Sequence, residues 1–130
     1  MTEETEDDML SEAEALLSKP GNAGKALEIL KKIGPGSPKF KQCTCLSAEC
    51  FFQQGRLPRA IASLKNVLSK EPNYIPALKT IILCLYKLKE YPDALVYANR
   101  FLEIDDSVEE IVSIKNTCQK ISEGGDGEEP

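Results

Sequence analysis

Apolar side chains recur at steps of three and four residues along most of the chain, which is the spacing of one helix face. The clearest example runs through Ala60, Leu64, Val67 and Leu68. Proline and glycine interrupt the pattern at regular intervals, and these breaks predict the turns. The pattern therefore predicts seven helices, at residues 9–18, 23–33, 39–54, 58–70, 75–89, 92–104 and 108–121.

The apolar pattern also repeats itself at a fixed offset of 34 residues. Ala26, Ala60 and Ala94 are related by this offset. The same offset relates two further sets, which are Ile33, Val67 and Phe101, and Leu17, Phe51 and Leu85. Self-similarity at one period indicates a repeat architecture. We therefore interpret the chain as three tandem units of two helices each, with a seventh helix that covers the open apolar end of the last pair.

A period of 34 residues with two helices per unit resembles the tetratricopeptide repeat. The small residue of the second helix is Ala26, Ala60 or Ala94. The large apolar residue one turn further is Leu30 or Leu64, and the proline that closes the repeat is Pro38 or Pro72. The third unit departs from the family pattern at Ala98 and Asp106, and the first helices depart at Glu14 and Ile82. The resemblance covers about residues 7–108. It implies an all-α fold, a right-handed α-solenoid of three antiparallel helix pairs with a seventh capping helix.

Charge divides the chain into a body and two acidic ends. Residues 1–8 hold five acids and residues 123–130 hold four, whereas residues 9–122 hold 12 acids and 16 bases. We expect an acidic flexible N-terminus at 1–8, one folded domain at 9–122 and a disordered, glycine-rich tail at 123–130. The chain starts with acids rather than a basic segment and an apolar run, so we expect no secretory leader and a cytoplasmic or nuclear location.

The residue types argue against catalysis and against a metal or cofactor site. The sequence has no His, so a zinc site would need four of its five Cys as thiolates, and the spacing of Cys43, Cys45 and Cys50 does not supply them. It has no phosphate-binding glycine loop and no nucleophile with a recognisable base. We therefore predict a protein that is not an enzyme, needs no cofactor and holds free, buried thiols.

Nucleic acid and membrane partners are also disfavoured. The net charge is −5 and the 16 basic residues are scattered, whereas a nucleic-acid surface needs a basic track. No run of apolar residues approaches the roughly 18 that a membrane helix needs. The expected partner is a protein or peptide, and the chain is expected to be a monomer alone or a subunit of a complex.

Stacked helix pairs place their first helices on a concave face, which forms a groove for a peptide or a partner helix. We assign partner binding to the positions of these helices that the repeat does not direct into the core, which are Cys45, Leu46, Glu49, Phe52, Lys79, Leu83, Tyr86 and Lys87. The alternative is a purely structural role, in which Phe52 and Tyr86 pack on neighbouring helices and Lys79 and Lys87 are only solvated. One tetratricopeptide subclass binds acidic chaperone tails through a clamp of Lys, Asn and Arg. Its positions are occupied here by Ser11, Ala15, Leu46, Pro76 and Thr80, so we predict that this route is absent.

The sequence supports an adaptor that binds a partner segment in the concave groove. Two alternatives remain open at this point. The first is a structural subunit whose surface is permanently buried in a larger assembly, and the second is a dedicated chaperone for one client segment.

Overall fold

The computed structural model describes residues 4–124, and all regular structure in that range is helical. The seven helices of this range are α1 (Glu6–Leu17), α2 (Ala23–Leu30), α3 (Phe40–Gln53), α4 (Leu57–Lys70), α5 (Ile75–Lys87), α6 (Tyr91–Ile104) and α7 (Glu109–Ser122). The prediction of an all-α helical repeat fold is confirmed. The described residues divide into two compact units, an N-terminal unit that ends at Ser63 and a C-terminal unit that begins at Leu64, with the boundary inside α4.

The first helix begins earlier than the predicted boundary at residue 9. It starts at Glu6, so the acidic residues 6–8, which the sequence predicts to be part of a flexible N-terminus, form its first turn instead. Thr5 caps this turn, because its hydroxyl accepts the Asp8 N–H at 3.1 Å and the Asp8 carboxylate accepts the Thr5 N–H at 3.1 Å. Acids in a first turn also interact favourably with the helix dipole. Of the predicted C-terminal tail, residues 125–130 lie outside the described residues.

The N-terminal unit has a core made by α1, α2 and α3, each of which packs on the other two. Ala26 is completely buried there, and its small side chain allows α2 to approach its neighbours closely. In α1 the completely buried small residue is Ala13, whereas Glu14 is exposed. The buried cluster consists of Leu10, Ala13, Leu17, Ala23, Ala26, Leu30, Ile33, Cys43, Leu46 and Cys50.

The C-terminal unit is built from the last part of α4 together with α5, α6 and α7. Helix α6 packs on α5, and α7 packs on α6 and also contacts α5. Ile111, Ile114 and Cys118 are the buried residues of α7. The outer side of α7 is polar, with exposed Glu109, Glu110, Ser113, Asn116, Gln119 and Lys120. A terminal helix with one buried and one polar side is what a capping element requires, so this part of the prediction is confirmed.

The turns between paired helices use one backbone conformation at equivalent positions. Gly21, Gly55 and Lys89 are 34 residues apart, and their φ angles are +88°, +78° and +64°. The residue that follows each of the last two turns donates its N–H to a carbonyl near the end of the preceding helix. After α3 the Arg56 N–H donates to the Phe51 carbonyl at 2.8 Å, and after α5 the Glu90 N–H donates to the Leu85 carbonyl at 2.9 Å. This is the pattern of a Schellman motif, which favours glycine.

Burial follows the 34-residue period at the positions that carried the repeat pattern. Ala26, Ala60 and Ala94 are each 0% exposed. The other two sets, Ile33, Val67 and Phe101 together with Leu17, Phe51 and Leu85, are also buried. The repeated positions are therefore packing positions in both units.

Candidate partner-binding surfaces

The predicted binding residues on α3 divide into a buried pair and a half-buried pair. Cys45 is 3% exposed and Leu46 is 8% exposed, so neither side chain is available to a partner. Leu46 belongs to the core cluster, because α3 packs on α1 as well as on α2. Glu49 and Phe52 are half-buried, and each already interacts with other residues of the chain.

The predicted binding residues on α5 are at the surface. Lys79 and Lys87 are exposed, and Leu83 and Tyr86 are half-buried. Spacings of three and four residues place them along one side of the helix. Other sides of α5 hold buried Ala77, Leu78, Ile81, Ile82, Cys84 and Leu85. We call Lys79, Leu83, Tyr86 and Lys87 the α5 strip.

Tyr86 is held in place by a second aromatic ring. The rings of Tyr86 and Tyr91 meet edge to face, with centroids 5.8 Å apart and planes inclined by 68°. Such a pair is favourable beyond the area it buries. Tyr91, the first residue of α6, was not among the predicted site residues. The only sequence signal for Tyr91 was that an aromatic residue directly follows the turn between α5 and α6.

The α5 strip is positively charged at both of its ends. Within α5 there is no Asp or Glu, whereas Lys79 and Lys87 are both present and Lys89 follows in the turn. The two strip lysines are eight positions apart on the helix, which corresponds to about 12 Å along the axis. Between them lie the apolar surface of Leu83 and the Tyr86 ring. The arrangement places an apolar contact between two lysines, of which Lys87 also interacts with another residue of the chain.

The positions of the acidic-tail clamp hold no suitable group. Leu46 and Thr80 are buried, and the Thr80 hydroxyl donates to the Pro76 carbonyl at 3.1 Å. Ser11, Ala15 and Pro76 are exposed but carry no ammonium, guanidinium or amide side chain. A carboxylate clamp of that design therefore has no ligands at these positions.

All five cysteines are buried and unpaired. Burial raises the pKa of Cys45 to about 12 and the pKa values of Cys50 and Cys84 to about 11, and the nearby charge of Glu49 adds to the effect at Cys45 and Cys50. Burial also raises the pKa of Cys43 and Cys118. A thiol with a raised pKa is protonated at neutral pH and is a poor nucleophile and metal ligand.

Two negative findings concern the described residues 4–124. No group of three or more His, Cys, Asp or Glu side chains in this range is arranged to hold a metal ion. No helix in the same range is long and apolar enough to cross a membrane.

A second surface feature lies on α6, where sequence reasoning named no site residue. Val96 is 55% exposed and Ile104 is 45% exposed, and both are large apolar side chains on α6. Between them in sequence, the Arg100 guanidinium stacks on the Tyr97 ring at 5.3 Å and donates to the Pro72 carbonyl at 3.5 Å. The sequence offered a signal for this feature, because at the 34-residue offset Val96 and Ile104 are larger or more apolar than their equivalents on α4, Ala62 and Lys70.

Comparison with known proteins agrees with the repeat pattern. The family profile described as Tetratricopeptide repeat matches residues 51–115, which is half of the 130-residue chain. The chain belongs to the tetratricopeptide repeat family, whose members act as protein–protein interaction modules. No curated protein matches the chain.

Proposed function

We propose that this protein is a non-enzymatic adaptor that binds a segment of a partner protein, and that the α5 strip is its main contact surface. The observation that carries the proposal is the composition of this strip. Leu83 and Tyr86 provide an apolar contact, and exposed Lys79 and Lys87 flank it on a helix that has no acid. Family membership supports a protein partner in general.

A rigid support makes the strip a suitable binding surface. Helix α5 is fixed on both α6 and α7, and Tyr86 is held by Tyr91. Side chains that are already ordered lose little conformational entropy when a partner binds, which increases affinity. Aromatic residues supported in this way are frequent hot spots of interfaces.

The charges of the strip define the chemistry of the expected partner segment. A complementary segment has an apolar or aromatic residue between two acids. If the segment is extended, with about 3.3 Å per residue, the acids are about four residues apart. If it is helical, they are about eight residues apart, because the rise is about 1.5 Å per residue.

On α3 the proposal keeps Glu49 and Phe52 as candidate contacts and omits Cys45 and Leu46, which are buried. Glu49 and Phe52 have partners within the chain, as Lys87 of the α5 strip also does. We expect a smaller contribution from Glu49 and Phe52, because the burial of neighbouring Cys45 and Leu46 leaves less accessible surface on α3. We also propose a cytoplasmic or nuclear location, which is supported by five thiols that remain unpaired.

The test is affinity capture from a cell extract with matched variants of the full chain. Tyr86→Ala should reduce the amount of each specifically captured partner about tenfold, because the aromatic anchor is lost. Tyr97→Ala is the control, since Tyr97 is also a half-buried tyrosine but lies on α6. Helix content and melting temperature are measured for both variants.

A second pair of variants tests the charges. Lys79→Glu with Lys87→Glu should weaken capture about tenfold, and the loss should shrink at high salt. Lys65→Glu with Lys70→Glu makes the same charge change at exposed positions of α4 and should leave capture unchanged. The assignment to α5 would be wrong if the Tyr86→Ala variant and the Lys79/Lys87 variant captured as much partner as the two control variants.

A structural subunit is the second candidate, and the exposed apolar residues Val96 and Ile104 favour it. In that case the outer side of α6 would be permanently covered by another protein. Val96→Lys with Ile104→Lys would then release the chain from a stable complex purified from cells, as measured by size-exclusion chromatography. An adaptor that works through α5 would behave like wild type in this experiment.

A further inference from the structure

The first turn of α1 is tied to the loop between α2 and α3 by two polar contacts. The Ser37 hydroxyl donates to the Glu6 carboxylate and accepts the Lys39 N–H at 2.9 Å. The Lys39 ammonium lies 3.0 Å from the Asp7 carboxylate. We call Glu6, Asp7, Ser37 and Lys39 the N-terminal clasp. It joins residues that are about 30 positions apart in sequence.

Ser37 also has the local features of a phosphorylation site. It is the only Ser or Thr in the 130 residues that is followed directly by proline, here Pro38. Ser37 is half-buried and lies in a turn, where its N–H donates to the Gly34 carbonyl at 3.0 Å. A kinase would therefore bind this segment after the turn has opened. The preceding residues Gly34, Pro35 and Gly36 are exposed and lie outside any helix. A kinase that requires proline after the target serine would find one such position in this chain.

We propose that Ser37 is a phosphorylation site for a proline-directed serine kinase, and that its modification opens the N-terminal clasp. In the reaction the Ser37 oxygen attacks the γ-phosphorus of ATP and forms a new O–P bond. The bond from that phosphorus to the β,γ-bridging oxygen breaks and ADP leaves. The hydroxyl proton passes to the base of the kinase.

The charges around Ser37 decide the effect of the modification. The unmodified hydroxyl is a donor to Glu6, whereas a phosphate with a charge near −2 has no proton to donate to it at neutral pH. The described N-terminal residues carry four acids, Glu4, Glu6, Asp7 and Asp8, and the clasp supplies one cation, Lys39. Repulsion therefore outweighs attraction, and Lys39 exchanges its Asp7 partner for the phosphate.

The clasp is weak enough to be opened by this change. The Asp7 side chain is 72% exposed and that of Lys39 is 37% exposed, so their ion pair is screened by water. Beneath the clasp, Leu10 and Ala13 of α1 contribute to the core of the N-terminal unit. Phosphorylation of Ser37 thus loosens the start of α1 on this core, and it alters no contact within α5, α6 and α7.

The experiment has two stages on the full chain. A proline-directed serine kinase with ATP is expected to add one phosphate, which mass spectrometry maps to Ser37. Ser37→Ala and Pro38→Ala should each prevent the addition. Absence of phosphate on Ser37 in wild type, when the same kinase modifies a control peptide, overturns the assignment of the site.

Hydrogen exchange then measures the opening of the clasp. Amides of residues 9–13 should exchange about tenfold faster in the phosphorylated chain, which corresponds to the loss of the hydrogen bond and the ion pair. Amides of α5 and α6 are the internal reference and should not change. In Glu6→Gln with Asp7→Asn, which keeps hydrogen-bond acceptors without the charges, phosphorylation should accelerate exchange much less. Unchanged or slower exchange at residues 9–13 after phosphorylation of wild type contradicts the proposed opening.

Discussion

Helices α3 and α5 occupy equivalent positions in successive repeats, but they present different surfaces. Their packing positions agree across the 34-residue offset, since Cys50 and Cys84 are both completely buried. Among the predicted binding positions only one pair differs in burial, because Cys45 is buried whereas its equivalent Lys79 is exposed. Phe52 and its equivalent Tyr86 are both half-buried, so these positions differ in side-chain chemistry rather than in burial. The repeat therefore constrains the residues that hold helices together and leaves the remaining positions free to acquire a binding function.

The difference also explains why the two helices are unequal candidates for binding. Helix α3 packs on both α1 and α2, and Cys45 is buried on it at the position where α5 carries exposed Lys79. Helix α5 carries two exposed lysines and the half-buried ring of Tyr86, which meets the Tyr91 ring edge to face. Exposed side chains of this kind are accessible to a partner, whereas buried thiols are not.

The largest effects are expected at the packing positions of the two helices. Phe51→Ala and Leu85→Ala should each lower the free energy of unfolding by about 2–5 kcal/mol, because they leave cavities in the core. The adjacent changes Phe52→Ala and Tyr86→Ala remove half-buried side chains and should cost about 1 kcal/mol. Urea denaturation of the four variants measures the difference. Equal losses at Phe51 and Phe52 would show that α3 does not separate packing from surface positions.

Alkaline pH should distinguish α3 through Cys45, which has no thiol counterpart on α5. The folded pKa of Cys45 is raised to about 12 from an ordinary value of 9.0, so folding favours the protonated thiol. Its contribution to stability is fully present below pH 9 and is lost as the pH rises from about 9 to about 12. The free energy of unfolding should fall there by at most about 1.4 kcal/mol per pH unit for each such thiol.

The comparison variant for this pH series is Cys45→Ala. Denaturation by urea at pH 8, 9 and 10 should give a shallower alkaline decline for the variant than for wild type. The same slope in both proteins would mean that Cys45 is not the thiol that responds. Cys84→Ala on α5 should give a similar flattening between pH 8 and 10, because burial raises the pKa of Cys84 to about 11 in the same direction.

The smallest effects are expected in the turns that follow the two helices. Gly55→Ala should lower the free energy of unfolding by about 1 kcal/mol, because a side chain at φ +78° is strained although the space around it is open. Lys89→Gly should raise it by about 0.5–1 kcal/mol, since it removes the same strain at φ +64°. Thermal melting of both variants checks these opposite signs. Destabilisation by Lys89→Gly would contradict the equivalence of the two turns.

The sequence was sufficient to predict the helical repeat, because the apolar period and the 34-residue offset both depend on local packing. It was less informative where distant elements meet. The burial of Leu46 depends on α1 lying against α3, and the contact between Ser37 and Glu6 spans 31 residues. The early start of α1 did have a local signal, since Thr5 and Asp8 have the spacing of a capping box. That signal was outweighed in the prediction by the acidic composition of residues 1–8, which is typical of a flexible terminus.

The most direct test of the central claim is chemical-shift mapping of the labelled full chain. The chain is titrated with a partner segment defined by the capture experiment. The account predicts that the largest shifts occur at Lys79, Leu83, Tyr86 and Lys87, and that Tyr91 shifts with its ring partner. Shifts concentrated at Val96 and Ile104 on α6, with the α5 strip unchanged, would contradict it.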